Sequence, residues 1–325
     1  MTISTTPELG DSTRAVRSAA THRPGRAGRG GHGGGLLGKQ PIGLAFSLPY
    51  VAFLLVVFAI PLGFAVWMSF HDFFFTAPGV DVPHPFVGFD NYSAVLSDPA
   101  VLSSFVHVGV FMLINVPLTV ILALVLAAAL NRAIRGRVFL RVAFYVPYVT
   151  ASVAVVGVWL YLFNSGGLVN KVLGPLAPDP SWLVNSGWAM PLIALFVTWK
   201  QLGFFILLYL AALQNIPKEL YESAATDGAG TWRTFWSITV PGVRTATGLV
   251  VLLAMITGAN LFTEPYLFTG GGGPDGASTS PVLLMYQKGI LQGNPDVAAA
   301  IGVILTVIVL VIGGINRWLS ERGER

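Results

Sequence analysis

The chain has 325 residues, of which 54% are hydrophobic and only 10% are charged, and its formal net charge is +4. A soluble domain carries about 25% charged residues, so this chain has too few charges to cover a surface that faces water. It contains no cysteine, which excludes disulfides, thiolate metal sites and cysteine nucleophiles. This composition predicts a polytopic helical membrane protein.

Six stretches with few or no charges are candidate membrane spans. Each holds the ~20 residues that a helix needs to cross ~30 Å of hydrocarbon, and the continuous apolar runs favour helices over barrel strands. Internal prolines at Pro49, Pro61, Pro117 and Pro147 predict kinks in these helices. The predicted spans are Ile42–Phe70, Val101–Leu130, Val142–Phe163, Trp188–Leu213, Thr245–Phe268 and Val297–Trp318. The predicted fold class is therefore an all-α membrane protein with six transmembrane helices.

The placement of basic residues predicts the orientation of the chain. Sixteen of the 19 Lys and Arg residues lie before the first span, in the second and fourth loops, or at the C-terminus. Cytosolic segments of membrane proteins carry the excess of Lys and Arg. The intervening loops hold only Lys171 and Lys288. Both termini are therefore predicted to be cytosolic, and the basic composition reflects membrane topology rather than a nucleic-acid partner.

Residues 1–40 are predicted to form a separate, disordered, Arg/Gly-rich cytosolic tail, and residues 41–325 the six-span domain. The run 23–35 alternates Arg with Gly and cannot bury a core. An RNA-binding or lipid-binding arm is one interpretation, and a solvated tail that helps to hold the N-terminus inside is the interpretation we favour. A cleaved signal peptide is disfavoured because the following apolar run exceeds ~7–15 residues.

The fourth loop, residues 215–241, is unlike the others. Asn215 is a suitable N-cap and Pro217 suits a first helical turn, so a short helix is predicted there. Gly228 and Gly230 would end that helix, and a second short helix would run from Thr231 to a point before Pro241. Its aromatic face would consist of Trp232, Phe235 and Trp236. A cytosolic helical pair with an exposed aromatic face predicts a protein partner.

This loop resembles the EAA loop of binding-protein-dependent ABC importer permeases. Glu222-Ser223-Ala224 is followed by Gly228 at the family's spacing, and then by Ile238 and Pro241. Other segments are similar to the carbohydrate-type, maltose- and glycerol-phosphate-like branch of that family, and the resemblance covers nearly everything after residue 40. These segments are Pro49-Tyr50, Trp67–Phe70, Gly88–Tyr92, Arg135–Arg137 with Arg141 and Pro147, and Thr263–Pro274. The chain departs from the family pattern at Ser223, Val240 and Thr245, which are small changes.

The resemblance implies a type I ABC importer permease in the bacterial plasma (inner) membrane that moves a sugar or oligosaccharide. It implies four kinds of partner: a second homologous permease, two ATPase subunits, an extracytoplasmic solute-binding protein and the lipid bilayer. It also implies that this chain is not an enzyme, since ATP and Mg would be bound by the ATPase and no cofactor or metal by this chain. The lack of a Gly-x-x-x-x-Gly-Lys-Ser/Thr run agrees. The coupling residues implied are Glu222, Ala224, Asp227, Gly228, Ile238 and Pro241.

Lys200 lies at the middle of the fourth span, between Trp199 and Gln201. A lysine inside the membrane is costly and is by default a functional-site hypothesis. The resemblance places the sugar near this depth, where an aromatic ring and polar donors would suit a polyhydroxyl ring. The alternative is a lysine that faces the second permease or pairs with a carbonyl group. His107 and Asn115, in the second span, are predicted to bond to neighbouring helices.

Glu264 would lie ~6 Å below the outer end of the fifth span. It would accept hydrogen bonds from sugar hydroxyl groups, helped by Asn260 and Tyr266. The alternative is a solvated residue at the rim that holds the glycine-rich loop. The run Gly270–Pro274 is predicted to be either a contact for the binding protein or a plain turn.

Two other classes of function compete with the importer hypothesis. An ion-coupled secondary transporter of a small polar solute should have internal repeats and paired carboxylates in the membrane, and only Glu264 lies within a predicted span. A membrane enzyme should show a cluster of His, Asp and Glu or a Gly-x-Ser-x-Gly elbow, and the sequence has neither. A phosphorylated solute is disfavoured because the spans offer one lysine and no arginine cluster.

Overall fold

The computed structural model describes residues 41–77, 79, 82–132 and 136–322. The predicted tail of residues 1–40 lies outside the described residues, as does Arg135. The regular secondary structure of the described part is helical, apart from one isolated bridge between His71 and Phe86. The chain divides into two units, one ending at Phe53 and the other beginning at Leu54.

Fifteen α-helical segments occur in the described residues. They are α1 (Pro41–Leu54), α2 (Ile60–Ser69), α3 (Asp90–Ser97), α4 (Pro99–Asn131), α5 (Arg137–Val149), α6 (Ser152–Phe163), α7 (Leu168–Leu173), α8 (Ala189–Gln214), α9 (Lys218–Thr226), α10 (Thr231–Thr234), α11 (Val240–Gly242), α12 (Arg244–Ala259), α13 (Thr263–Thr269), α14 (Pro281–Tyr286) and α15 (Pro295–Arg322). Wider π-helical turns lie at Leu55–Ala59, Phe235–Thr239 and Gln287–Leu291, and 3₁₀ turns at Gly174–Leu176 and Pro274–Gly276.

Five helices of the described chain are long and apolar enough to cross a membrane. They are Phe46–Ser69, Pro99–Asn131, Ser152–Leu176, Ala189–Gln214 and Pro295–Trp318. A sixth span results if Thr231–Gly242 and Arg244–Ala259, which meet at a bend of 69°, cross together. The predicted all-α membrane fold with six transmembrane helices is confirmed at this level.

The predicted third span, Val142–Phe163, is wrong as a continuous helix. α5 ends at Val149, and Thr150 is extended with φ −77° and ψ 141° before α6 begins. Pro147 supplies no amide hydrogen, so the last turn of α5 is already weakened. The Thr150 hydroxyl then donates to the Val146 carbonyl at 2.8 Å, which ends the helix locally. The predicted span is therefore interrupted at Thr150, and the candidate span of the structure begins at Ser152.

The predicted fifth span, Thr245–Phe268, is also wrong as a continuous helix. α12 ends at Ala259, and the Asn260 side chain donates to the Ile256 carbonyl at 2.8 Å. Pro265 has no N–H to offer the Leu261 carbonyl, which accepts from the Ser280 hydroxyl instead. A separate short helix, α13, follows.

The fourth loop also differs in detail from its prediction. Asn215 terminates α8 and is not the N-cap of the next helix, and Pro217 occupies the N-cap position before Lys218. The second helical segment does not end before Pro241 but continues to Gly242 through the wider turn Phe235–Thr239. Proline lacks an N–H and its ring crowds the carbonyl four residues earlier, which accounts for a widened turn immediately before it. The turn Leu55–Ala59 stands in the same relation to Pro61.

The second unit is organised around α8. α4 packs along its length, α5 crosses it, α12 lies on α4, and α15 packs on α2. Fully buried aromatic residues such as Phe111, Phe196 and Tyr209 fill these contacts. Asn115 donates to the Thr198 hydroxyl at 2.8 Å, and the His107 ring lies 3.3 Å from the Thr279 carbonyl. The predicted contact to a neighbouring helix is confirmed for Asn115 and is wrong for His107, whose partner lies in the loop before α14.

An ion pair lies at the N-terminal end of α4, where Asp98 is the N-cap residue. The Asp98 carboxylate lies 3.0 Å from the Lys288 ammonium and also accepts from the Ala100 amide at 2.8 Å. Partial burial raises the pKa of Asp98, but the bonds from Lys288 and Ala100 outweigh it and hold this pKa below its ordinary value of 3.8. The carboxylate is therefore charged at neutral pH.

The backbones of α5 and α8 approach each other closely at Gly203, and a first prediction concerns this contact. A Cβ atom there would lie 2.2 Å from the Phe144 carbonyl oxygen. We expect Gly203→Ala to force the helices apart and to lower the free energy of unfolding by about 1–3 kcal/mol. Thermal unfolding of the purified protein in detergent micelles measures the change. Gly157→Ala, where a Cβ meets nothing within 4 Å, is the matched control and should unfold at or above the unfolding temperature of the wild-type protein. An equal fall in the unfolding temperature of the two variants would contradict the prediction.

Candidate coupling and substrate sites

The turn after α9 has a geometry that favours glycine. Gly228 has φ +72°, in the left-handed region. Its amide donates to the Ala225 carbonyl at 3.1 Å, and the Ala229 amide donates to the Ala224 carbonyl at 2.9 Å. This pair of bonds is the Schellman motif, in which a left-handed residue follows the helix end. The predicted turn at Gly228 is confirmed.

The other predicted coupling residues lie around this turn on one loop. Glu222 on α9 and Asp227 at its C-cap are exposed, and Ala224 is half-buried. Within the described residues the Glu222 carboxylate has no hydrogen-bond or ion-pair partner. Ile238 is half-buried against the core around α8, whereas Pro241 is exposed. The loop thus presents charges and a tight turn outward, while Ile238 is among the side chains that pack it against the body of the protein.

A hydroxyl pair and an aromatic cluster complete the loop. The Tyr221 hydroxyl lies 3.1 Å from the Thr239 hydroxyl, which joins α9 to the wider turn before Pro241. Trp232 is 73% exposed and Trp236 is 52% exposed, and their ring centroids are 5.7 Å apart. A cavity of about 700 Å³ lies between these elements and the end of α4. Its lining includes Val125, Arg132, Leu213, Tyr221, Trp232 and Phe235.

Lys200 bonds to a partner that spacing in the sequence does not reveal. Its ammonium group donates to the Ser152 hydroxyl at 2.5 Å. Ser152 is the first residue of α6, immediately after the break in the third span. Trp199 is 39% exposed, and Gln201 is half-buried with no side-chain hydrogen bond among the described residues. The only available signal for Ser152 is an isolated hydroxyl at the start of an apolar run.

A second candidate group lies where the predicted fifth span is interrupted, and it consists of Asn260, Glu264 and Tyr266. Glu264 lies in the first turn of α13, half-buried, and its side chain makes no hydrogen bond within the described chain. Tyr266 stacks on Phe262 at 5.5 Å and meets Tyr286 edge-on at 5.9 Å. No hydrogen bond among the described residues joins this group to Lys200 or Gln201. The predicted substrate residues on α8 are Trp199, Lys200 and Gln201, whereas Asn260 is the C-cap of α12 and Glu264 and Tyr266 lie on α13.

The glycine-rich loop, Gly270–Pro274, is hydrogen-bonded to residues that follow it in the chain. All four glycines from Gly270 to Gly273 have positive φ angles. The Gly271 carbonyl accepts from the Gln287 side chain at 2.6 Å, and the Gly272 carbonyl accepts from the Ser278 amide at 2.8 Å. Ser278 is fully buried. These bonds hold the loop as a turn, and a contact of that turn with the binding protein stays a prediction.

The helical arrangement and the exposed loop define the chain as a membrane permease component. Residues 116–324 match the family of binding-protein-dependent transport system inner membrane components, and the chain belongs to that family. It is thus the membrane permease component of an ABC transporter, whose ATPase is a separate subunit.

Three known proteins illustrate the similarity. The chain is 32% identical to the sn-glycerol-3-phosphate transport system permease protein UgpA of Yersinia pestis, over 86% of this chain and 93% of UgpA. It is 29% identical to the diacetylchitobiose uptake system permease protein NgcF of Streptomyces coelicolor, over 96% of this chain and 93% of NgcF. The fold is similar to the crystal structure of a bacterial ABC transporter involved in the import of alginate, an acidic polysaccharide. That similarity has a TM-score of 0.70 at 23% identity and covers 86% of this chain and 94% of the other.

Proposed function

We propose that this permease moves a sugar or oligosaccharide into the cytosol, powered by ATP hydrolysis in its partner subunits. The observation that carries the proposal is the exposed loop on a helical membrane body of the importer family, with Gly228 in the left-handed region and Glu222 unpaired among the described residues. The names of related permeases include both a disaccharide and glycerol phosphate as solutes. We favour the sugar, because Lys200 bonds to a neutral hydroxyl and has no arginine beside it on α8.

The partners follow from this proposal. A second homologous permease completes the pathway, two ATPase subunits bind ATP and Mg and grip one such loop from each permease, and an extracytoplasmic binding protein delivers the sugar. Both termini are cytosolic, which agrees with the excess of basic residues in those segments. Residues 1–40 form the Arg/Gly-rich tail on that side. No cofactor is bound by this chain.

The coupling loop, 215–241, transmits the movement of the ATPase. Glu222 and Asp227 supply exposed charges that bond to the ATPase cleft, and Gly228 sets the turn between the two helical segments. Ala224 allows the backbones to approach closely. Ile238 and Pro241 connect the loop to α12, so that a push on α9 reaches the 69° bend that leads into the membrane.

The sugar passes beside two groups of polar side chains. Lys200 and Gln201 donate hydrogen bonds to sugar hydroxyl groups near mid-membrane, next to the Trp199 ring. The second group receives the solute earlier on its path. It consists of Asn260, Glu264 and Tyr266, where a half-buried carboxylate that has no partner in the described part of the chain accompanies an exposed aromatic ring.

ATP-driven uptake tests the proposal directly. We expect proteoliposomes with the complete complex to take up a disaccharide such as diacetylchitobiose only when ATP and the binding protein are present. A partner ATPase without activity should abolish uptake. Uptake that follows a proton or sodium gradient without ATP would instead support the ion-coupled transporter. Uptake of glycerol 3-phosphate but of no sugar would contradict the substrate class and leave the ABC mechanism intact.

A further inference from the structure

Five aromatic rings form a continuous series from the loop after α7 to the middle of α8. Trp188 meets Trp182 at a centroid distance of 5.4 Å, and Trp182 meets Phe163 at 5.6 Å. Phe163 stacks on Trp159 at 5.0 Å with an interplanar angle of 12°, and Trp159 meets Trp199 at 5.6 Å. We call this series the aromatic track. It ends at the residue before Lys200.

The aromatic track is held in place by polar bonds of the outer loop. The Trp182 indole N–H donates to the Asn170 side-chain oxygen at 2.6 Å. The Asn170 amide group in turn donates to the Asn164 carbonyl at 3.0 Å and to the Ser181 hydroxyl at 3.2 Å. A tryptophan that anchors a membrane interface keeps its N–H for headgroups and water. Trp182 has its N–H satisfied inside the protein, so its position serves the protein rather than the bilayer.

The rings of the aromatic track are not sealed in a core. Trp199 is 39% exposed and Trp188 is 47% exposed at its two ends, and the three rings between them are half-buried. The fully buried Phe196 packs behind Trp159 at 5.2 Å and supplies the core contact on that side. The track therefore has a supported back and an accessible face.

We propose that the aromatic track guides a sugar of two or more rings from the outer loop to Lys200. This inference rests on the proposed function and adds the chain length and the route of the solute. Pyranose rings have apolar C–H faces that stack on aromatic rings, while their hydroxyl groups stay free to bond to water. Successive rings allow an oligosaccharide to exchange one stacking partner for the next. The donors of Lys200 and Gln201 then receive its hydroxyl groups at the inner end.

Uptake by the reconstituted complex tests the aromatic track with Trp159→Leu. The probes are diacetylchitobiose, its trisaccharide homologue and glycerol 3-phosphate, which has no ring. Losing one stacking partner should lower the uptake rate of the sugars roughly 2- to 10-fold. Any glycerol 3-phosphate uptake that the wild-type complex shows, and the ATPase activity stimulated by the binding protein, should stay unchanged. Trp159→Phe, which keeps an aromatic face, should restore most of the sugar uptake.

Trp318→Leu, on α15 and outside the series, is the matched control and should leave all three rates unchanged. Equal losses for the sugars and for glycerol 3-phosphate, or lost ATPase activity in Trp159→Leu and Trp159→Phe alike, would reduce Trp159 to a packing residue and overturn the proposal. Unchanged sugar uptake in Trp159→Leu would overturn it as well. A wild-type complex that carries only glycerol 3-phosphate would overturn the aromatic track without contradicting an ABC importer. A complex with no ATP-driven uptake of any probe would overturn the proposed function itself, and the track with it.

Discussion

Gly228→Val is expected to reduce transport by about tenfold or more while the membrane spans still insert. Gly228 has φ +72°, where an L-residue pays about 1–2 kcal/mol and a β-branched residue pays more. A penalty of this size changes the population of the native turn by roughly 5- to 30-fold. The space around the residue is open, since a Cβ would meet nothing within 4 Å. Backbone conformation, and not a steric clash, is therefore the cause. Uptake and stimulated ATPase activity of the reconstituted complex measure the effect.

Gly230 provides a matched control two residues away. It also has open space around its Cα, but its φ of −68° and ψ of 163° suit any residue. Gly230→Val should therefore keep most of the transport activity. Normal uptake by Gly228→Val would contradict the role of the turn in coupling. Equal losses in the two variants would indicate that added bulk at the ATPase surface, rather than the left-handed backbone, is what the loop does not tolerate.

The parts of the fold that were predictable depend on local sequence. Continuous apolar runs set where helices can cross the membrane. The free-energy cost of a left-handed backbone conformation favours glycine in the turn after α9, which is the residue found at position 228. Neither argument needs knowledge of distant contacts. The bounds of α4 and α8, Pro99–Asn131 and Ala189–Gln214, accordingly lie close to the predicted spans.

The breaks in the third and fifth spans were not predictable from hydropathy, because both breaks lie inside apolar runs. At Asn260, where α12 ends, the Ile256 carbonyl accepts from both the backbone amide and the side-chain amide of Asn260. The Leu261 carbonyl, which Pro265 leaves free, is satisfied by Ser280, 19 residues further along the chain. The mean hydropathy of a sequence window reports neither of these side-chain hydrogen bonds. Tertiary contacts decide whether the helix continues there.

The candidate substrate site was likewise predictable from the sequence only in part. The cost of burying a charge singles out Lys200 from sequence alone. Its partner, Ser152, is 48 residues away and becomes a neighbour only through the packing of α6 against α8. The series of rings from Trp188 to Trp199 likewise joins three segments of the chain. Sequence identifies the costly residue, and the fold decides what surrounds it.

Lys200→Ala is expected to weaken the affinity or the rate of transport roughly 5- to 150-fold. The ammonium group has three N–H donors, and Ser152 accepts only one of them within the described residues. The remaining donors are free to bond to sugar hydroxyl groups, and losing such a bond costs about 1–3 kcal/mol, which is the stated change in rate. The complex should still assemble, because removing a charge from the membrane lowers the cost of insertion. Uptake and ATPase assays on the reconstituted complex measure the effect.

Ser152→Ala separates the two roles that this lysine can have. If Lys200 serves the solute, Ser152→Ala removes a neutral partner and should change transport less than threefold, since about 0.6 kcal/mol or less is at stake when the other donors remain satisfied. If Lys200 serves only to tie α8 to the broken third span, the two single variants should have equal effects. The double variant should then be no worse than either, as for residues that act as one unit. Equal single effects, or unchanged transport with lost assembly in Lys200→Ala, would place Lys200 in the packing of the permease and remove it from the sugar path.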